Sequence, residues 1–244
     1  MKNHIVIFGW DYFIKSIVTQ LVKAKQRVVI ITNNQGHEDI LNDFDEDNKP
    51  SLVISSFHDQ EKLAEVNIEN ARIVLVNLLD DTRNLVFVLK LKRRYPEVRV
   101  VVPVDNTELN ETFVKAGITY SLSRTDICAK LFASHLFEKH VAEYLEDLLS
   151  SGGDSEDEYD IQQYLMIESN PVIGMSYQDV FVKLKKAFNA VLMGISKKNG
   201  AGPRVLYKNP YENFSVELND YLILMCSGVA ASDISAFFGV EEGG

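Results

Sequence analysis

Short, nearly continuous apolar runs punctuate the first half of the chain: His4–Phe8, Val28–Thr32, Leu52–Ser55, Ile73–Asn77, Val98–Val102 and Thr119–Leu122. Several are rich in β-branched residues. A strand with one wet face alternates apolar and polar positions, whereas an unbroken apolar run is buried on both faces, as in a parallel sheet. Between the runs the period lengthens to that of a helix. Asp11–Ala24 places Phe13, Ile14, Ile17, Val18, Leu21 and Val22 on one side. Asp81–Arg94 does the same with Leu85, Val86, Val88, Leu89 and Leu91 and stops before Pro96. Asn106–Ala116 opens on polar capping residues and closes on Gly117. Strands alternating with helices in this way predict right-handed βαβ units and a Rossmann-like, doubly wound α/β domain over residues 1–123.

Arg124–Leu149 reads as a long helical stretch with a break near Glu138-Lys139-His140. Its apolar positions include Ile127, Leu131, Phe132, Leu136, Val141, Tyr144, Leu145 and Leu148. So much apolar surface needs a cover, either a second copy, which makes 124–149 a crossover or dimerisation arm, or other parts of the same chain. Residues 150–160, SSGGDSEDEYD, are acidic and carry Gly and Ser, the composition of a solvated linker. Residues 161–244 are patterned differently. Tyr164–Ile167, Ala190–Ile195, Val205–Tyr207, Phe214–Val216 and Tyr221–Met225 look like strands, Tyr177–Phe188 like a helix, and Val229–Phe238 like a terminal helix. Turn signals sit at Asn170-Pro171, Asn199-Gly200 and Asn209-Pro210. A small α+β domain is expected.

Composition narrows the function. The chain has 244 residues and a net charge of −10, which argues against sequence-independent nucleic-acid binding. No apolar run approaches the roughly 20 residues that span a bilayer, and the opening residues do not read as a secretory leader. Cys128 and Cys226 lie far apart without a CxxC context, so neither a disulfide framework nor a zinc site is expected, in keeping with the cytosol.

Candidate chemistry clusters at the carboxyl ends of the strands, where open α/β sheets hold ligands. The first strand runs into Gly9-Trp10-Asp11-Tyr12-Phe13-Ile14. A full dinucleotide fingerprint places glycines at the positions of Gly9, Asp11 and Ile14. Only Gly9 is present, and Asp11 puts a carboxylate where a pyrophosphate approaches. Like charges about 4 Å apart repel by roughly 1–4 kcal/mol, depending on the local dielectric. Asp11 also suits the N-cap of the following helix. The second strand ends in Thr32-Asn33-Asn34, which can hydrogen-bond a ribose but lack the usual carboxylate. The third runs into Ser56, Phe57 and His58, and the fourth ends at Asn77 and Leu78. Asp80, Asp81 and Asp105 are candidate ligands for a hard cation, although Asp80 and Asp81 also stand where a helix start favours negative charge. Asp43–Asn48 opens like a calcium loop but has Asn48 and Ile54 where an EF-hand needs Gly and Glu. The histidines form no metal-ligand pair at helical spacing, and no nucleophile stands beside an obvious base. A non-enzymatic protein is expected.

The opening His4-Ile5-Val6-Ile7-Phe8-Gly9-Trp10 resembles the first strand and turn of RCK domains, which regulate the conductance of potassium, in the version found in prokaryotic ligand-gated channels. The likeness continues through Ala71–Val76, Asp81–Asn84, Pro96–Val101, Ala116–Thr119 and, in the C-terminal part, Asn219–Leu224. The resemblance implies TrkA-N and TrkA-C type domains joined by crossover helices. It further implies homodimers within an octameric gating ring below a membrane potassium channel pore, cytoplasmic and not itself inserted in the membrane. NAD, ADP or another adenine nucleotide, or calcium, is the implied ligand. The positions matching the calcium-gated relatives are Asn77, Pro103 and Asp105; only Asp105 is a carboxylate, which argues against that ion site. A pore segment does not precede His4, so a separate subunit and the soluble part of a longer channel both remain open. The alternatives are a standalone subunit of a Trk- or Ktr-type transporter, which usually keeps the full glycine fingerprint, and an NAD-dependent oxidoreductase.

Overall fold

A computed structural model describes residues 3–45, 49–149, 158–198, 200, 202 and 204–243. The chain forms two compact units, Met1–Ala142 and Glu143–Gly244. Most of the acidic stretch 150–160 lies outside the described residues, as do Glu46, Asp47 and Asn48 of the calcium-like segment and Asn199 of one turn signal.

In the first unit, β1 (His4–Phe8), β2 (Val28–Thr32), β3 (Ser51–Ile54), β4 (Ala71–Val76), β5 (Val100–Val104) and β6 (Tyr120–Ser123) form a six-stranded sheet in the order β3-β2-β1-β4-β5-β6. Every pairing is parallel. This is the Rossmann-like doubly wound fold. The unbroken apolar runs have the expected cause, since β1 and β2 are buried at all positions. Val6 and Phe8 enter the core on one face, while Ile5 and Ile7 enter the core on the other. The first helix, α1 (Tyr12–Lys23), covers the latter face with Ile14 and Val18. Helices α2 (Gln60–Glu65), α3 (Asp81–Arg94) and α4 (Asn110–Lys115) cover the former with Leu63, Phe87, Val88, Leu91 and Phe113.

Strand ends shift by one or two residues from the apolar runs. At β5 the strand continues through Pro103, two residues further than expected. Pro103 is tolerated because β4 pairs with β5 only through Val100 and Val101, so the missing N–H lies beyond that ladder. The Asn106–Ala116 helix is split into a 3-10 turn, Thr107–Leu109, followed by α4. Helix α2 and a 3-10 segment over Gln35–Asp43 have no counterpart in the sequence reading, being short and weakly periodic.

Helix α5 (Arg124–Phe137) ends at Glu138, and α6 (Lys139–Leu149) follows, so the break falls where the sequence placed it. No side chain of α5 is buried; Phe132, Leu136 and Phe137 are 70, 88 and 74% exposed.

The second unit holds an antiparallel sheet in the order β7-β10-β8-β9, from β7 (Tyr159–Leu165), β8 (Val191–Lys198), β9 (Arg204–Lys208) and β10 (Tyr221–Ser227). Helices α7 (Tyr177–Phe188) and α8 (Gly228–Phe238) supply Val180, Leu184, Ile234 and Phe238 to its core. Phe214–Val216 is not a strand. It makes one isolated bridge, Ser176 to Ser215, and contributes Val216 to the core. Strand β7 begins at Tyr159, five residues before the expected start, because polar Asp160 and Gln162 alternate with Ile161.

Candidate functional site

The turn after β1 is set by Gly9, which holds φ at +95°. A Cβ there would lie 1.9 Å from the Asn77 carbonyl oxygen. The neighbouring strands run this close because the ladder continues beyond their ends: Asn77 donates its N–H to the Phe8 carbonyl at 2.9 Å, and Gly9 donates to the Ile31 carbonyl at 2.9 Å. Glycine at this position is therefore demanded by the sheet itself.

Asp11 is the N-cap of α1. Its Oδ1 accepts from the Ile14 N–H at 2.8 Å, and its Oδ2 accepts from Asn77 Nδ2 at 2.9 Å. The carboxylate thus fills the anion seat that a helix N-terminus offers. N-cap and cavity wall are one role here, since Asp11 also lines the cavity described below.

At the end of β2, Thr32, Asn34 and His37 form a closed network. Asn34 Oδ1 accepts from the Gly36 N–H, so its Nδ2 is left to donate to His37 Nε2 at 3.1 Å. His37 Nδ1 then carries the proton and donates to Thr32 Oγ1 at 2.9 Å. Behind them, Phe8, Phe57 and Phe87 pack with ring centroids 4.7 to 6.1 Å apart and give the site an apolar floor.

The acidic candidates for a cation do not converge. Asp80 caps α3 through the Arg83 N–H at 2.7 Å and meets the Arg83 guanidinium at 3.4 Å. Asp81 accepts the N–H groups of Asp105 and Asn106 at 3.1 and 2.9 Å. Asp105 takes both Arg124 Nη2 contacts, at 2.6 and 2.7 Å, and the Nε contact at 3.0 Å. Among the described residues no group of three or more His, Cys, Asp or Glu side chains could hold a metal ion. Each of the three carboxylates instead stabilises a strand-to-helix connection.

A cavity of about 640 Å³ opens over the strand ends. Gly9, Trp10, Asp11, Thr32, Asn33, Asn34, Phe57, His58, Asn77 and Leu78 line it. Tyr12, 85% exposed on α1, and Ser56, which caps the His58 N–H, lie outside the lining, as do Asp80, Asp81 and Asp105. The structure adds His37, Leu79, Thr82, Arg83, Val86, Phe87, Lys90 and Arg124, which the sequence reading did not place there. For α3 a signal existed: positions 83, 86, 87 and 90 recur at helical spacing and share one face. Arg124 gave no such signal. It reaches the cavity because it directly follows β6, and its Nη1 lies 3.5 Å from Asn77 Oδ1.

Fold and cavity together define a Rossmann-like domain whose cavity lies at the strand ends, where such sheets hold ligands. Residues 5–124 match the family model of the TrkA-N domain, and this segment belongs to that family. Among solved structures, the human SLO3 gating ring superposes with a TM-score of 0.66 at 13% identity, over 97% of this chain and 46% of that chain. The GsuK RCK domain matches with a TM-score of 0.48 at 14% identity, over 96% of this chain and 46% of that one. The GsuK channel bound to NAD matches with a TM-score of 0.48 at 14% identity, over 97% and 38%. The chain therefore spans less than half the length of these proteins. No curated protein matches the sequence. No helix among the described residues is long and apolar enough to cross a membrane.

Proposed function

We propose that this chain is a ligand-sensing regulatory domain of a potassium channel, non-enzymatic, acting from the cytoplasmic side of the membrane through a homo-oligomeric ring. The observation that carries the reading is the position of Arg124. It is the first residue of α5, and it also lines the cavity, bonded to Asn77 and ion-paired with Asp105. An occupant that draws on this guanidinium acts on the start of α5 directly. A ligand shifts a conformational equilibrium only through its differential affinity for the two states, and a charged group at the hinge of an exposed helix supplies such a difference. The exposed apolar residues of α5 supply a surface on which a second copy pairs. The fold shared with the human SLO3 gating ring is the precedent for the assembly.

The ligand is an adenine nucleotide in this reading. The phenylalanine floor suits a planar base, the exposed Asn33 amide beside the Thr32–Asn34–His37 network suits a ribose hydroxyl, and the cavity holds cationic side chains. A thermal-shift panel of NAD, NADH, ATP, ADP, AMP, calcium and magnesium tests it, followed by hydrogen exchange of α5 with the best member. Stabilisation by a nucleotide with altered protection in α5 is expected; no shift with any nucleotide defeats the reading.

A further inference from the structure

The charges in the cavity are distributed in an unusual way for this fold. The N-terminal turn of α1, the customary seat of a phosphate, is filled by the Asp11 carboxylate, which is held there by Ile14 N–H and Asn77 Nδ2. Two of the three lysine and arginine side chains that line the cavity stand on the opposite wall; the third, Arg124, lies against Asn77 and is ion-paired with Asp105 at 2.6 Å. Arg83 and Lys90 project from α3 into the cavity two helical turns apart, with the apolar side chains of Val86 and Phe87 between them. The Arg83 side chain is 61% exposed, and its one ion pair among the described residues is a 3.4 Å contact with Asp80. Lys90 has no carboxylate partner among the described residues. A second cavity of about 290 Å³ shares Phe57, His58, Phe87 and Lys90 with the first and adds Arg94. Lys90 therefore stands at the junction of two open spaces. Arg83, Lys90 and Arg94 fall at i, i+7 and i+11, a single stripe along α3.

We infer that the cavity takes a phosphate monoester of mononucleotide size with its phosphate on the Arg83–Lys90 wall of α3, not on the N-terminus of α1. The inference rests on the nucleotide-sensing reading above and adds the orientation and the ligand class. A dinucleotide places its pyrophosphate against α1, where Asp11 repels it. Arg124 is already held by Asp105, so a terminal phosphate finds its seat across the cavity, where one ammonium with no carboxylate partner among the described residues and one weakly paired guanidinium offer charge-assisted hydrogen bonds. Neither side chain supports the core, so removing the charge leaves the fold intact.

Isothermal titration of the full chain with AMP and with adenosine separates the possibilities. AMP is expected to bind at least about tenfold more tightly than adenosine, the difference being the phosphate contacts. Lys90→Gln and Arg83→Gln should each remove most of that preference while adenosine still binds, which also certifies the fold. Asp11→Asn should leave the preference unchanged. If the preference survives both α3 variants and Asp11→Asn strengthens AMP binding, the phosphate sits on α1 and the inference fails while the sensor reading stands. AMP binding no tighter than adenosine likewise overturns the inference alone. If neither compound binds, the nucleotide reading falls and the inference with it.

Discussion

Asn77 donates its side-chain amide to the Asp11 carboxylate at 2.9 Å across 66 positions of sequence. The bond joins the end of β4 to the start of α1, and Asn77 is only 4% exposed. Replacing Asn77 with Asp puts two carboxylates in contact. The expected loss is about 1–4 kcal/mol at neutral pH, the repulsion of like charges at this distance. Part of the loss should return as the pH falls into the carboxylate range and one group takes up a proton. Urea unfolding of both proteins at pH 7 and pH 4.5 checks this.

Gly9→Ala forces a Cβ to within 1.9 Å of the Asn77 carbonyl oxygen at a φ of +95°. Backbone must move on one of the two central strands. A loss on the order of 2–4 kcal/mol is expected from strain and overpacking together. A fall in the midpoint of the first unit's unfolding, with the second unit's transition unchanged, would confirm that the effect is local.

His4 is fully buried at the start of β1. Its Nε2 donates to the Val66 carbonyl at 2.9 Å, while Nδ1 has no hydrogen-bond partner among the described residues. Burial pushes its pKa below the ordinary 6.5, outweighing the bond to Val66. The unfolded chain therefore binds the proton more readily than the folded one. The stability His4 contributes is whole above pH 6.5 and is lost as the pH falls from there through the lower folded-state value. His4→Gln should flatten that part of the stability–pH curve between pH 7 and 5, as read by denaturant titration at stepped pH.

In the second unit Lys197 is the hub of a small ion-pair network. Its side chain is 18% exposed and touches Asp220 at 2.7 Å and Glu217 at 3.1 Å, and it donates to the Ser215 carbonyl. Burial lowers its pKa, but the contacts with Asp220 and Glu217 outweigh burial and raise it overall. Asp220→Ala leaves the ammonium with its main partner gone and should destabilise this unit by about 3–5 kcal/mol. The double variant Asp220→Ala/Lys197→Met should recover a large part of that loss, measured as a double-mutant cycle.

The exposed stripe on α5 gives an association test. Phe132 and Leu136 lie four residues apart, on one face, and are 70 and 88% exposed. If this stripe pairs copies of the chain, sedimentation at high micromolar concentration shows a dimer or larger species. Phe132→Glu with Leu136→Glu should then yield a monomer of unchanged thermal stability per unit. A wild-type monomer at that concentration defeats the pairing.

Much of the architecture was written locally. The unbroken apolar runs at Val28–Thr32 and His4–Phe8 require burial on two faces, and burial on two faces requires a parallel sheet with helices above and below. The caps at Asp11, Asp80 and Ser176 announce helices because each side chain bonds an amide three residues on. Contacts distant in sequence left no such trace. Nothing near Arg124 indicates that it meets Asn77, nothing near Asp81 indicates that it holds the Asp105 amide, and Phe214–Val216 reads as a strand although its pairing with the segment before α7 amounts to one isolated bridge. Periodicity and capping are properties of neighbours along the chain, so the sequence alone determined them. The charge pattern of the cavity comes from four strand ends and two helices brought together by the sheet order, and only the tertiary structure decided it.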